Sequence, residues 1–330
     1  MDPCFATATG LGRAIRNGRL SSAEATEAHL QRIARINGPL NALVVVDRDR
    51  AMKSARAADR ARTRKNAGLG PLHGVPITIK EAFDVAGLAT TSSHPPLKDN
   101  IATTDASIVA RLRAAGAIIL GKTNVPELCM DFQTESPLFG TTKNAWDARR
   151  TAGGSTGGGG VAVAARLSPL EFGSDIGGSV RNPAHFNGIF SLKPSEWRVP
   201  GRGHVPDLPG QTRTVRYMGV FGPLARSVED LDMALRIIAG PDGNEAEAAP
   251  VPLGPTPRFR PADLRIAVLD SNPLLRVSAD TAAVVEATAR LLGKAGAKVK
   301  RGEPAALDWR QGLDDWSDLL QYEVRALQPL

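Results

Sequence analysis

The run Gly153-Gly154-Ser155-Thr156-Gly157-Gly158-Gly159-Gly160, followed soon after by Gly173-Ser174-Asp175-Ile176-Gly177-Gly178-Ser179, constrains this chain more than any other feature. Segments this poor in side chains cannot build a packed core. They can follow backbone paths closed to other residues, and they let N–H groups approach a ligand closely. That freedom costs chain entropy, so two such stretches, each carrying serine, are expected to be loops that present backbone rather than side chains.

The rest of the chain must supply the scaffold, and its periodicity alternates. Ser21-Ser22-Ala23-Glu24 forms a capping box ahead of the amphipathic run His29-Leu30-Gln31-Arg32-Ile33, which predicts a helix start. Residues 43–46 read as a short buried strand, 48–66 as a helix and 75–79 as a second strand, which puts Lys80 at a strand end. A helix over 105–115 stops at Gly116 and leads to an apolar strand at 117–120. Ser227 caps a helix over 228–239, and the Pro/Gly-rich stretch 241–262 is expected to be a loop or linker. Beyond it a strand (264–269), a helix (279–292) and a strand (297–300) repeat the alternation, so an α/β fold is expected without internal sequence repeats.

Composition narrows the classes of function. With 42% hydrophobic and 23% charged residues, 33 glycines and 24 prolines, the 330-residue chain is turn-rich but globular. Apolar runs such as 42–46 fall far short of the roughly 18 residues that span a bilayer, so no membrane partner is expected. The N-terminus has no basic segment before an apolar one, which predicts a cytoplasmic location. Two cysteines, Cys4 and Cys129, exclude a disulfide scaffold or a Cys-rich zinc site. The histidines at 29, 73, 94, 185 and 204 lack ligand spacing, so each is expected to be a packing or turn residue, with no metal and no cofactor. The net charge of +7 gathers partly between Arg48 and Lys65, but Asp47, Asp49 and Asp59 dilute that cluster and no aromatic interleaves it. A solvated helix face is expected there, and no nucleic-acid partner.

Two motifs mislead. Gly116-Ala117-Ile118-Ile119-Leu120-Gly121-Lys122-Thr123 satisfies the phosphate-loop pattern, yet the residues between its glycines read as strand, where such a loop should follow one. Gly153-Gly154-Ser155-Thr156-Gly157 matches the nucleophile elbow of α/β-hydrolases, but the preceding Trp146-Asp147-Ala148-Arg149-Arg150-Thr151 is not the apolar strand an elbow needs.

What remains is Lys80 after Gly74-Val75-Pro76-Ile77-Thr78-Ile79, then Ser155, then Ser179 within Gly177-Gly178-Ser179-Val180-Arg181-Asn182-Pro183-Ala184, at spacings of 75 and 24 residues. Together with Gly121-Lys122-Thr123-Asn124, Phe139-Gly140-Thr141-Thr142-Lys143-Asn144, Leu192-Lys193-Pro194 and Gly222-Pro223-Leu224-Ala225-Arg226-Ser227, these segments resemble the amidase signature family over about residues 20–330. The resemblance implies a single domain over 1–330 with a mixed central sheet covered by helices. It also implies a Ser–Ser–Lys triad that hydrolyses a small carboxylic amide through a Ser179 acyl-enzyme. A serine hydroxyl needs a base within hydrogen-bond reach. In the family pattern Ser155 relays the Ser179 proton to Lys80, and lysine accepts it only when burial has lowered its pKa enough to keep it neutral.

By the same resemblance a cis peptide precedes Ser155, and the N–H groups of Ile176, Gly177, Gly178 and Ser179 form the oxyanion hole. Asp175 and Arg181 support that loop, and Met130, Asp131 and Phe132 in Glu127-Leu128-Cys129-Met130-Asp131-Phe132 border the substrate. Glutamine hydrolysis within a tRNA-dependent amidotransferase is disfavoured, because that subunit usually has Thr-Tyr-Gly-x-Val-Ser-Arg where this chain has Ser195-Glu196-Trp197-Arg198-Val199-Pro200. An inactive fragment and a homodimer both stay open. Family members usually continue past Leu330, so a C-terminal part is expected to be missing, with the apolar tail from Leu319 left uncovered.

Overall fold

The computed structural model describes residues 2–64, 68–205, 217–248, 250–269, 274, 276–302 and 307–325. Two compact units emerge, Met1–Leu253 and Gly254–Leu330, and their boundary falls inside the Pro/Gly-rich stretch 241–262.

The first unit runs α1 (Ala8–Arg16), α2 (Ser22–Leu40), β1 (Leu43–Val46), α3 (Arg48–Arg62), β2 (Pro76–Lys80), α4 (Ser107–Ala114) and β3 (Ile118–Thr123). A small hairpin follows, β4 (Glu135–Ser136) with β5 (Gly140–Thr141), and then α5 (Gly157–Ala164), β6 (Leu170–Asp175), α6 (Arg181–Asn187), β7 (Phe190–Ser191), β8 (Val220–Ala225) and α7 (Val228–Ile238). Ser21 and Glu24 complete the capping box of α2, and Ser227 caps α7, both as the sequence predicts. The helix expected over 48–66 ends at Arg62, and residues 65–67 lie outside those described.

Six strands form one sheet in the order β1-β3-β2-β6-β8-β7. β3, β2 and β6 are parallel, whereas β1, β8 and β7 each run antiparallel to the strand they pair with. β2, β3, β6 and β8 are buried along their whole length, as expected of strands covered on both faces. Side chains alternate between two apolar layers: Ile119 joins Ile77, Leu112, Phe172 and Leu231 on one face, while Ile118 and Leu120 join Leu30, Leu43 and Val161 on the other.

Both glycine clusters depart from the loop expectation. Gly157 to Gly160 form the first turn of α5, and Gly173 to Asp175 end β6. Close packing is the reason. A Cβ on Gly159 would come within 2.5 Å of Glu171 Cγ, and one on Gly173 within 2.5 Å of Thr156 side-chain atoms. These glycines let a helix lie directly on the sheet, while Gly153 and Gly178, at φ of 75° and 125°, keep the loop role.

The second unit comprises β9 (Arg265–Val268), α8 (Ala279–Lys294), β10 (Lys298–Arg301) and α9 (Trp309–Arg325). β9 and β10 pair in parallel with Arg265 opposite Lys298, and α8 is the crossover that a parallel pair requires. The tail expected from Leu319 begins within α9, and residues 326–330 lie outside those described. No helix among the described residues is long and apolar enough to cross a membrane.

Candidate active site

Lys80 is the last residue of β2, a strand hydrogen-bonded on both sides, and its side chain is fully buried. Its Nζ stands 2.7 Å from Ser155 Oγ and 2.8 Å from Ser174 Oγ. Ser155 follows a cis Gly154–Ser155 peptide and directly precedes the N-terminus of α5, while Ser174 is the penultimate residue of β6. Ser174 Oγ in turn lies 2.9 Å from His204 Nε2.

Burial pushes the Lys80 amine below its ordinary range, opposed by the Cys129 thiol and by the carboxyls of Asp175 and Glu171. The groups at 2.7 and 2.8 Å from the nitrogen are both hydroxyls, which bring no negative charge to offset that burial. Glu171 is fully buried and burial pushes it up to about 8, so near neutral pH it carries little charge to hold an ammonium. Its Oε1 accepts from Thr123 Oγ1 at 2.7 Å.

After β6 the chain winds around one carboxylate. Asp175 Oδ1 accepts from Gly178 N–H at 2.9 Å, and Oδ2 accepts from Val180 N–H at 3.0 Å. The Arg181 guanidinium closes on the same group at 2.7 and 3.0 Å. Burial alone would raise the Asp175 carboxyl, but the hydrogen bonds from Arg181, Val180 and Gly178 outweigh it and hold the group below the usual carboxylate range.

This geometry amends the expected oxyanion hole. The Gly178 N–H is committed to Asp175, whereas those of Ile176, Gly177 and Ser179 meet no acceptor among the described residues. The loop is tied to the Lys80 centre through Thr156 N–H, which donates to the Ser179 carbonyl at 3.1 Å. Ser179 is 8% exposed, and its hydroxyl makes no hydrogen bond to Ser155 or to another described residue. Lys80 and Ser155 are thus in contact, and the Ser179 backbone is joined to them through Thr156, with no hydrogen bond from the Ser179 hydroxyl among the described residues.

Met130 and Phe132 are each 53% exposed. The backbone of Asp131 to Gln133 crosses directly over Gly154, where a Cβ would come within 2.6 Å of the Asp131 carbonyl. Phe186 flanks the other side at Gly153. Cys129, at φ 60°, lies 3.4 Å from Ser92 Oγ. Sequence reasoning assigns Ser174 no role and makes His204 a packing or turn residue, whereas the His204 ring nitrogen meets Ser174 Oγ. Ser174 had no signal, since nothing in the sequence marks Leu170–Asp175 as a strand beside β2. His204 had none, because its loop is joined to the segment after Lys80 by a backbone bridge to Phe83, which no local pattern announces.

Known proteins resemble this chain in sequence and in fold. The family model described as Amidase matches residues 24–311. The indoleacetamide hydrolase of Bradyrhizobium diazoefficiens is 38% identical over 325 residues, 98% of this chain and 60% of that protein. A glutamyl-tRNA(Gln) amidotransferase subunit of Symbiobacterium thermophilum is 40% identical over 243 residues, 74% of this chain and 48% of that one. Among solved structures, a fatty acid amide hydrolase superposes with a TM-score of 0.88 at 26% identity, covering 98% of this chain and 58% of its own. The chain therefore spans about 60% of the length of the first of these relatives and less of the other two.

Proposed function

Because the chain belongs to the amidase signature family, we propose that it is an amidohydrolase whose Ser179 attacks the carbonyl carbon of a carboxylic amide. The observation that carries this reading is the fully buried Lys80 amine at 2.7 Å from Ser155 Oγ, among hydroxyls rather than carboxylates. As Ser179 Oγ bonds to carbon, its proton passes to Ser155 and the Ser155 proton passes to the Lys80 lone pair. Negative charge then develops on the carbonyl oxygen, and the N–H groups of Ile176, Gly177 and Ser179 are fixed in place before it forms. The returning proton leaves with ammonia or an amine, and water releases the acid from the acyl-enzyme by the same route.

For the substrate, the exposed Met130 and Phe132 together with Phe186 offer an apolar, aromatic border beside Gly153 and Gly154. An amide with an aromatic acyl group suits that border, in keeping with the name of the indoleacetamide-hydrolysing relative. The test is ammonia release by this chain alone from indoleacetamide, phenylacetamide, acetamide and glutamine. Turnover of the aryl amides in preference to acetamide is expected. Release from glutamine only, or from none of the four with no fluorophosphonate adduct on Ser179, would overturn the reading.

A further inference from the structure

His204 is remote from Lys80 in the chain, yet a single hydroxyl separates them. Ser174 Oγ is 2.8 Å from Lys80 Nζ and 2.9 Å from His204 Nε2. The imidazole is fixed in place by two rings, Phe83 with centroids 4.7 Å apart and Phe221 at 5.1 Å, and by the backbone bridge between Phe83 and His204. The proton route proposed above uses neither Ser174 nor His204.

A hydroxyl has one proton, and the direction of that proton decides what Ser174 offers to Lys80. A neutral amine has two N–H groups and one lone pair. To take the Ser155 proton, Lys80 must turn that lone pair toward Ser155 Oγ, leaving an N–H for Ser174. Should Ser174 aim its own proton at Lys80, it would occupy the same lone pair and block the base.

We infer that His204 is a positioning residue for the Lys80 base. Its Nε2 accepts the Ser174 proton, which makes Ser174 an acceptor toward Lys80 and reserves the lysine lone pair for Ser155. Donors then run in one direction, from Ser155 to Lys80 to Ser174 to His204. The order survives catalysis: the Ser155 O–H bond breaks, a third N–H forms on Lys80, and the resulting ammonium still donates to Ser174. No proton has to reach the imidazole.

This inference rests on Lys80 being the base, and the experiment separates the two. The limiting rate and half-saturating concentration for fluorophosphonate labelling of Ser179 are measured in the 330-residue chain carrying Ser174, Ser174→Thr or Ser174→Ala, each with His204 or His204→Phe. Phenylalanine keeps the ring packing and removes the acceptor. With Ser174 or threonine present, His204→Phe should lower the limiting rate about tenfold or more, the scale of one net hydrogen bond, without changing the half-saturating concentration. In the Ser174→Ala background it should do nothing further. Where His204→Phe fails to fold, His204→Leu supplies the same comparison. An unchanged limiting rate, or an equal loss with and without the Ser174 hydroxyl, overturns the role of His204. Lys80→Ala is measured alongside, and full labelling in that variant would overturn the base assignment itself.

Discussion

Lys80 and Lys122 stand one register step apart on neighbouring parallel strands, both fully buried, and differ in what meets their nitrogens. Lys80 faces the hydroxyls of Ser155 and Ser174. Lys122 reaches the Glu81 carboxylate at 3.4 Å, the Ala89 carbonyl at 2.6 Å and Thr90 Oγ1 at 2.9 Å. Burial lowers both amines, but only Lys122 has a carboxylate within ion-pair distance to offset it. One lysine is suited to exchange a proton and the other to brace the turn at Thr90 to Ser93, whose N–H groups also bind Glu81.

The pH dependence of acylation should reveal this difference. Labelling of Ser179 should rise with pH as Lys80 loses its proton, with a midpoint below the usual lysine value of about 10.4. Lys80→Met should slow labelling by roughly 10²–10⁴-fold and abolish that rise. It should also flatten stability against pH. A lysine whose folded pKa is depressed leaves the unfolded chain holding the extra proton between its two pKa values, so wild-type stability climbs with pH across that window. Urea midpoints at several pH values provide the check, and a slope shared by both proteins would count against a depressed Lys80.

Peptide mapping after fluorophosphonate treatment should place the added mass on Ser179. Ser179→Ala should take up no label, while Ser155→Ala should label slowly and at the same residue. An adduct on Ser155 would instead favour the nucleophile-elbow pattern of Gly153 to Gly157.

Asp175→Asn should loosen the loop that carries Ser179, because an amide nitrogen would face N–H groups that now meet a carboxylate oxygen. A loss of about 2 kcal/mol is expected, with the half-exposed Arg181 contributing little of it. Because the folded pKa of Asp175 is depressed, the stability it provides is present above the unfolded value of about 3.9 and disappears as pH falls through the folded one. Wild type and variant should therefore converge in acid, as followed by urea unfolding.

Glu171→Gln should behave in the opposite sense. With a folded pKa of about 8 against an ordinary 4.5, the carboxyl favours the fold below the ordinary value, and that contribution is lost as pH rises to 8. The glutamine variant should lack this decline and exceed wild type in stability at pH 8, with the gap closing near pH 4.5. Calorimetric midpoints at the two pH values decide it.

Lys80, Ser155 and Ser179 could be singled out in the sequence because each sits in a distinctive local string. β1 was legible at its observed bounds, since an uninterrupted Leu-Val-Val-Val run has few other uses. β6 was hidden by its own chemistry: Glu171, Gly173, Ser174 and Asp175 break the apolar pattern because this strand carries the site while buried on both faces. Four consecutive glycines at the start of α5 run against helix propensity, and the closeness of Thr134, Asn124, Glu171 and Pro183 to them in turn explains them. The commitment of Gly178 to Asp175 needed coordinates, because motif spacing does not say which way an N–H points.

The strand order also sets a schedule for synthesis. As the chain leaves the ribosome, β6 can pair at once with β2, made long before, but its other edge waits until β8 emerges. During that wait a strand destined for complete burial offers unpaired backbone to any neighbouring nascent chain, a known route to aggregation. Splitting the gene anywhere between β7 and β8 would make that exposure permanent, whereas a cut after Leu253 leaves every strand of the six-stranded sheet on one polypeptide.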